Sequence, residues 1–243
     1  MSSVHDTLIR KIREHTSLSR DDLEAIRKMT FVNRLLAPGE DFVRQGDAPR
    51  VSVVVTRGMV ARYHTRTAGR RQYLSFHIAG DMPDAQALFL DVMDHSLCAI
   101  GEAEVALLPH KDIFDMFERR LSLGYAFWRE TLIDAAIFRE AITNNSSRPV
   151  RTRIAHFFCE QYYRAQAAGL AEAGSCALPL SQIQLGETLG ISVVTANRGL
   201  QALRRTGAVE FRDGVLLVRN WKKLMQIGEF DASYLHLIKQ SRI

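Results

Sequence analysis

Apolar residues recur along this chain with two different periods. Between Phe31 and Pro109 they fall in short runs, broken every few residues by glycine or proline. The runs 31–36, 51–56, 59–64, 72–76, 97–100 and 105–108 read as strands. Turns are expected at Pro38-Gly39, Gln45-Gly46-Asp47, Arg57-Gly58, Ala68-Gly69 and Ala79-Gly80-Asp81. Many short strands at this spacing predict an antiparallel sandwich or small barrel. Ahead of them, residues 1–15 read as a polar helix. Ser19 then starts a second, with Leu23, Ile26 and Met29 on one face. After Pro109 the period becomes helical. From Lys111 to Thr143 there is no proline, and two stripes run along the helix. Leu121, Tyr125, Trp128, Leu132 and Ala135 trace one; Phe127, Ile133, Ile137 and Ala141 trace the other. Two stripes are more apolar surface than one domain needs, so 121–141 is a candidate dimer seam. Asn144-Asn145-Ser146-Ser147-Arg148-Pro149 is a polar hinge. A helix over 151–168 and a small-residue loop over 171–177 follow.

The densest local signals lie between Leu180 and Leu203. Ser181 and Gln184 have capping-box spacing, and Leu185 and Leu189 form a buried stripe behind them. Gly186 leaves room for a crossing helix, and Gly190 breaks the run where a turn is needed. Ser192 caps a second helix that turns Ala196, Leu200 and Leu203 inward. Val193, Val194, Asn197, Arg198 and Gln201 are then expected on or near its outer face. An Asn-Arg pair displayed this way suits a helix that reads a DNA major groove. Thr195, Ser181 and Gln182 are expected to hold that helix on the sugar-phosphate backbone. Arg204-Arg205-Thr206-Gly207 ends the helix. Asp213-Gly214 between the runs 208–211 and 215–218 predicts a β-hairpin. A hairpin directly after the second helix makes a winged helix-turn-helix, with Arg212 and Arg219 near the wing. Asn220 is placed to cap a last helix carrying Trp221, Leu224, Ile227, Leu235 and Ile238.

Charge changes the picture in one respect. Residues 1–143 carry 19 Lys and Arg against 20 Asp and Glu, whereas residues 144–243 carry 13 against 7. The whole net charge of +5 therefore arises in the motif-bearing part, as attraction to phosphate requires. The chain is 47% hydrophobic and 24% charged over 243 residues, which fits one large or two ordinary folded domains. No run of about 18 apolar residues occurs, so no membrane span is expected. The N-terminal residues lack an apolar leader core, and a cytoplasmic protein is expected. Cys98, Cys159 and Cys176 are scattered and read as buried small side chains.

Strands, long helix, hinge and winged helix-turn-helix, in that order, resemble the Crp/Fnr family of bacterial transcription regulators. The landmarks in the first part are Gly39-Glu40, Arg44-Gln45-Gly46-Asp47, Val53, Arg57-Gly58-Met59-Val60, Gly69-Arg70 and Gly80-Asp81. In the second they are Leu180-Ser181-Gln182, Gly186, Leu189-Gly190-Ile191-Ser192, Thr195, Asn197-Arg198, Leu200, Leu203 and Gly207. The resemblance implies an α+β fold: an N-terminal antiparallel β-roll like that of cyclic-nucleotide-binding domains, a long dimerisation helix and a C-terminal winged helix-turn-helix. The expected parts are N-terminal helices over 1–30, the roll over 31–110, the dimerisation helix over 111–143, the DNA-binding domain over 144–220 and a last helix over 221–243. It further implies a homodimer on an inverted-repeat promoter site that contacts RNA polymerase.

Two departures from the family matter. Members that bind cyclic AMP carry Gly-Glu after the Gly-Asp turn and an Arg-Ser pair further on. This chain has Pro83-Asp84 and His95-Ser96. An acid without the arginine poorly suits an anionic phosphate, so cyclic AMP is not the expected effector. Arg70, Arg71, Asp84, His95 and Ser96 remain the candidate effector residues. In the reading helix, the Arg-Glu pair of the family's catabolite activator is Val193-Val194, which suits contact with thymine methyls. The family's iron–sulfur members have an N-terminal cysteine cluster, and no cysteine precedes Cys98 here. Neither a cofactor nor catalytic residues are expected. An enzyme on a cupin-like barrel would need clustered metal ligands, and His64, His77, His95 and His110 lack HxH spacing. A haem- or metal-sensing regulator, in which one or two of these histidines bind iron, keeps the DNA function and changes only the input.

Overall fold

The computed structural model describes residues 3–67 and 69–238. Met1 and Ser2 of the first expected helix, Ala68 of the expected turn and residues 239–243 of the last segment lie outside the described residues. The chain forms two compact units that divide between Asp134 and Ala135.

In the first unit, Ser3 caps α1 (Val4–Arg13) by accepting from the Asp6 N–H. Ser19 caps α2 (Arg20–Arg27), and Asp22 returns a bond to the Ser19 N–H. The strands β1 (Val32–Leu36), β2 (Asp41–Val43), β3 (Val51–Thr65), β4 (Arg71–His77) and β5 (Ser96–Pro109) follow. Their order is β1-β5-β3-β4, with β2 also on β5, and every pairing is antiparallel. The roll differs from the expected one by two joins. Runs 51–56 and 59–64 are one strand, as are 97–100 and 105–108. Arg57-Gly58 is a bulge, not a turn: the register against β5 slips between Val55 and Arg57 and again between Arg57 and Met59. A Cβ on Gly58 would lie 2.3 Å from the Glu102 carbonyl oxygen, at a φ of +78°. Glycine therefore lets the strand bend where a larger residue would end it.

One face of this sheet buries Val53, Val55, Val60, Ala99 and Val105 together. The alternating positions Val54, Ala106 and Leu108 meet Leu8, Ile12 and Ile26 of α1 and α2, together with Ile113 and Leu123. Those last two belong to α3 (His110–Arg119) and α4 (Leu121–Ser147). The run 111–143, expected as one helix, is thus broken at Arg120, which is extended (φ −139°, ψ 82°). Its guanidinium donates to Asp22 Oδ1 (2.9 Å), Asp21 Oδ2 (3.1 Å) and Ser19 Oγ (3.1 Å) at the start of α2. A tertiary anchor makes the break, without proline or glycine. The two stripes of α4 then differ. Phe127 and Ile133 are buried, while Leu121, Tyr125, Trp128 and Leu132 stay 63, 59, 59 and 52% exposed.

In the second unit, α4 continues through Asn144 to Ser147, so the polar run at 144–149 finishes a helix before α5 (Val150–Ala167) begins. The expected loop at 171–177 holds a short hairpin of β6 (Ala171–Glu172) and β7 (Ser175–Ala177). Then come α6 (Gln182–Leu189), α7 (Val193–Arg204), β8 (Val209–Arg212), β9 (Val215–Val218) and α8 (Trp221–Gly228). The small sheet has the order β6-β7-β9-β8. Ile154, Phe158, Leu178, Leu185, Ala196, Leu203, Leu216 and Leu224 form its buried centre. Asn220 caps α8 as expected, accepting from the Lys223 N–H at 2.9 Å. The last helix is shorter than expected. Gly228 lies against the α5 backbone, where a Cβ would come 2.8 Å from His156 N, and Glu229 turns left-handed. Leu235 falls in a separate 3-10 turn, Ala232–Leu235, and Ile238 beyond it.

Candidate nucleic-acid interface

The local chemistry of α6 and α7 is closed by their own residues. The Ser181 N–H donates to Gln184 Oε1 (2.8 Å) and the Gln184 N–H to Ser181 Oγ (3.1 Å), a complete capping box. Gly190 ends α6 in the left-handed conformation (φ 65°). Ser192 Oγ accepts from the Thr195 N–H (3.1 Å) and bonds Thr195 Oγ1 (2.8 Å), which starts α7. At Gly186 a Cβ would stand 2.9 Å from the Ile191 carbonyl oxygen, so the close turn between the helices requires glycine. Gly199 lets α5 pack closely on α7: a Cβ there would stand 2.5 Å from Ile154 Cδ1 of α5.

This packing leaves a definite outer face. Ser181, Gln182, Ser192, Val193, Val194, Arg198 and Gln201 are exposed, and Thr195 is half-buried at the helix start. Asn197 departs from the expected arrangement. It is half-buried, and its Oδ1 is buried with no hydrogen-bond partner among the described residues. It lines a cavity of about 300 Å³ together with Gln182, Gln201 and Arg204, above Phe158 and Phe211. Arg198, one residue on and about 100° further round the helix, is exposed instead. Arg204 and Arg205, read from sequence only as the helix end, are also exposed.

The expected wing is present. Asp213 (φ 51°) and Gly214 (φ 74°) both have positive φ between β8 and β9, the requirement of a tight type I′ hairpin. Arg212 Nε lies 3.0 Å from Asp213 Oδ2, and Arg219 Nε lies 3.4 Å from Glu210 Oε1. Such solvent-facing pairs are worth about 0–1 kcal/mol, so a phosphate can displace the carboxylate at little cost.

The candidate effector residues separate into distinct places. Arg70 is exposed at the end of the β3–β4 hairpin. Arg71 is bound internally: its Nη2 donates to both oxygens of Asp41 (2.9 and 3.0 Å), and it lies 4.4 Å above the Tyr63 ring. Ser96 is buried and accepts from the Gln45 N–H at 3.0 Å. Asp84 is fully buried, its two oxygens accepting from the Val53 N–H at 2.9 and 3.1 Å. Burial pushes its carboxyl up to about 7, against the pull of the Val53 amide and Arg62. His95 is buried between Asp94 Oδ1 (2.6 Å) and Gln86 Nε2 (3.3 Å), and burial, with Arg62 adding to it, lowers its pKa.

Arg62 was not among the sequence candidates. It is buried, donates Nε to the Pro83 carbonyl (2.7 Å) and pairs through Nη1 with Asp134 of α4. An arginine does enter the region of Pro83-Asp84, from near the end of β3, but a protein carboxylate already holds it. A charged residue inside the apolar run 59–64 was the one available signal. The other histidines also have protein partners. His64 donates to the Asp94 carbonyl (3.0 Å), His77 bonds Ser75 Oγ (2.9 Å) and His110 bonds Ser52 Oγ (3.1 Å). Among the described residues, no helix is long and apolar enough to cross a membrane.

Comparison with known proteins matches both halves. Residues 152–227 match the family described as "Crp-like helix-turn-helix domain", and residues 33–120 match "Cyclic nucleotide-binding domain". "Transcriptional activator protein FnrA" of Stutzerimonas stutzeri is 22% identical over 194 residues, covering 80% of this chain and 79% of its own. "Nitrogen fixation regulation protein FixK" of Rhizobium meliloti (strain 1021) is 27% identical over 181 residues, covering 72% and 77%. The solved structure of FixK2 from Bradyrhizobium japonicum has the same fold, with a TM-score of 0.75 at 22% identity over 84% of this chain and 100% of that one. Two matched domains in the order these regulators share place the chain in the Crp/Fnr family of transcription regulators.

Proposed function

We propose that the protein is a homodimer that reads an inverted-repeat promoter site through α7, and that its input is not a cyclic nucleotide. The observation that carries the DNA reading is the outer face of α7: Val193, Val194, Arg198 and Gln201 are exposed on a helix that Ser192 caps. Arg198 is the principal base or phosphate contact. The valines meet thymine methyls, and Ser181, Gln182, Ser192, Thr195 and Arg212 set the helix on the backbone. Asn197 is half-buried with its side-chain oxygen away from solvent, so it stands behind Arg198 as a contact. The exposed stripe of Leu121, Tyr125, Trp128 and Leu132 is the dimer seam; in water such a patch is stable when covered by its two-fold mate. Contact with RNA polymerase follows from the family, two of whose members similar to this chain are named transcriptional activators. The protein acts in the cytoplasm, where its DNA is.

Against cyclic nucleotides stands the occupation of Arg62. To reach a ligand phosphate it would have to give up Asp134 and the Pro83 carbonyl, beside the buried Asp84 carboxyl. The DNA reading is tested by selecting bound sequences from a random pool and footprinting the winner. The expected site is an inverted repeat with half-sites about 34–36 Å apart. Arg198→Ala is expected to cost about 1–3 kcal/mol of specific affinity. An unchanged footprint and affinity for Arg198→Ala would sink the assignment.

A further inference from the structure

The last turn of α4 is bonded by side chains to the end of α6. Asn145 Nδ2 donates to the Thr188 carbonyl at 3.2 Å. Arg153, in the first turn of α5, donates Nη1 to the Leu189 carbonyl (2.9 Å) and Nη2 to the Arg148 carbonyl (3.2 Å). Asn144 Nδ2 in turn donates to the Arg153 carbonyl at 3.2 Å. Thr188 and Leu189 are the final residues of α6, where helix carbonyls have no partner within the helix. The Asn145 amide satisfies the first and the Arg153 guanidinium the second, and the guanidinium also opposes the negative end of the helix dipole. Directly beyond, Gly190 turns the chain and Ser192 starts α7.

These bonds are not by-products of packing. Arg153 Nε and Asn145 Oδ1 are buried with no hydrogen-bond partner among the described residues. An apolar side chain of similar size would fill the same space without leaving polar atoms unsatisfied. What it could not do is hold the two carbonyls at the α6 terminus. We propose that Asn145 and Arg153 are positioning residues for DNA reading. They fix the point from which α7 departs onto the last turn of α4, so the polar run 144–149 acts as a strut. This rests on the dimeric reading above. With two recognition helices carried on a paired α4, a strut sets the distance between half-sites, whereas a free hinge would tolerate several.

The test uses the full chain with Asn145→Ala, Arg153→Lys and Arg153→Ala. Affinity is measured for a single half-site and for operators whose spacing is changed by one base pair in either direction. Wild type is expected to prefer one spacing. Asn145→Ala is expected to keep half-site affinity while losing about five- to tenfold of that preference, the size of one lost hydrogen bond. Arg153→Lys, which offers one ammonium in place of a two-donor fork, should be intermediate between wild type and Arg153→Ala. Amide exchange at Ile191, whose N–H donates to the Gly186 carbonyl (3.0 Å), provides a readout that needs no DNA. It is expected to quicken about five- to tenfold in folded Asn145→Ala. Spacing preference and Ile191 exchange both as in wild type would overturn the strut. Absence of any spacing preference in wild type, with Ile191 exchange still faster in Asn145→Ala, would instead overturn the dimeric reading alone.

Discussion

Glu130 on α4 sits where α1, the Gly80-Asp81 turn and α4 meet, and its titration can be worked from the structure. Lys11 Nζ lies 3.0 Å from Glu14 Oε2, 3.1 Å from Asp81 Oδ1 and 3.9 Å from Glu130 Oε2. His15 Nε2 is 3.2 Å from Glu130 Oε1, which is itself buried. Arg129 donates to the His15 carbonyl (2.8 Å), and Asp134, one turn on, is paired with Arg62. One ammonium thus faces three carboxylates. Burial, with Asp81, Glu14 and Asp134 adding to it and Lys11 opposing, raises the Glu130 carboxyl from 4.5 to about 7. The folded state therefore binds a proton that the unfolded chain has already released. That contribution to stability is full below the unfolded pKa of 4.5 and is lost as pH rises through about 7. At about 1.4 kcal/mol per tenfold change in proton affinity, the loss is about 3 kcal/mol. Glu130→Gln removes the titration and keeps the shape. Urea unfolding of both proteins at pH 5 and pH 8 cancels the carboxylates and histidines that lie outside this cluster. Wild type should lose about 3 kcal/mol more than the variant across that interval, or about 6–12 °C in Tm. A difference between the two proteins below about 0.5 kcal/mol, within ordinary measurement error, would refute the reasoning.

Trp128→Asp with Leu132→Asp places charge on the exposed stripe and is expected to give folded monomers in light scattering that no longer hold an inverted repeat. Ile133→Asp is the control: Ile133 is buried within the protomer, so its loss should unfold the protein, and a wild type that is monomeric at micromolar concentration contradicts the seam. Calorimetric titration with cyclic AMP and cyclic GMP is expected to show no binding. Micromolar binding that tightens operator affinity would mean that Arg62 leaves Asp134 for a phosphate.

What the sequence determined by itself is whatever rests on contacts three or four residues long. The Ser181–Gln184 box, the Ser192 and Asn220 caps and the Asp213-Gly214 turn were legible because their partners lie within one turn of the chain. The order of the elements, and with it the family, followed from these marks and from the change of apolar period. What depended on distant partners was not legible. Arg120 breaks a helix because Asp22 lies beside it in space, 98 residues away in sequence. Arg62 is buried because Asp134, 72 residues away, neutralises it. The bulge at Gly58 joins two expected strands because the Glu102 carbonyl comes so close. Asn197 was expected on or near the outer face of its helix; that it lines a cavity with Phe158 and Phe211 depends on residues other elements supply. The short strands β2, β6 and β7 have too few residues to show alternation and exist because a neighbouring strand accepts their hydrogen bonds. Local chemistry writes caps and turns into a sequence; burial of a charge and the pairing of short strands are decided only when remote segments meet.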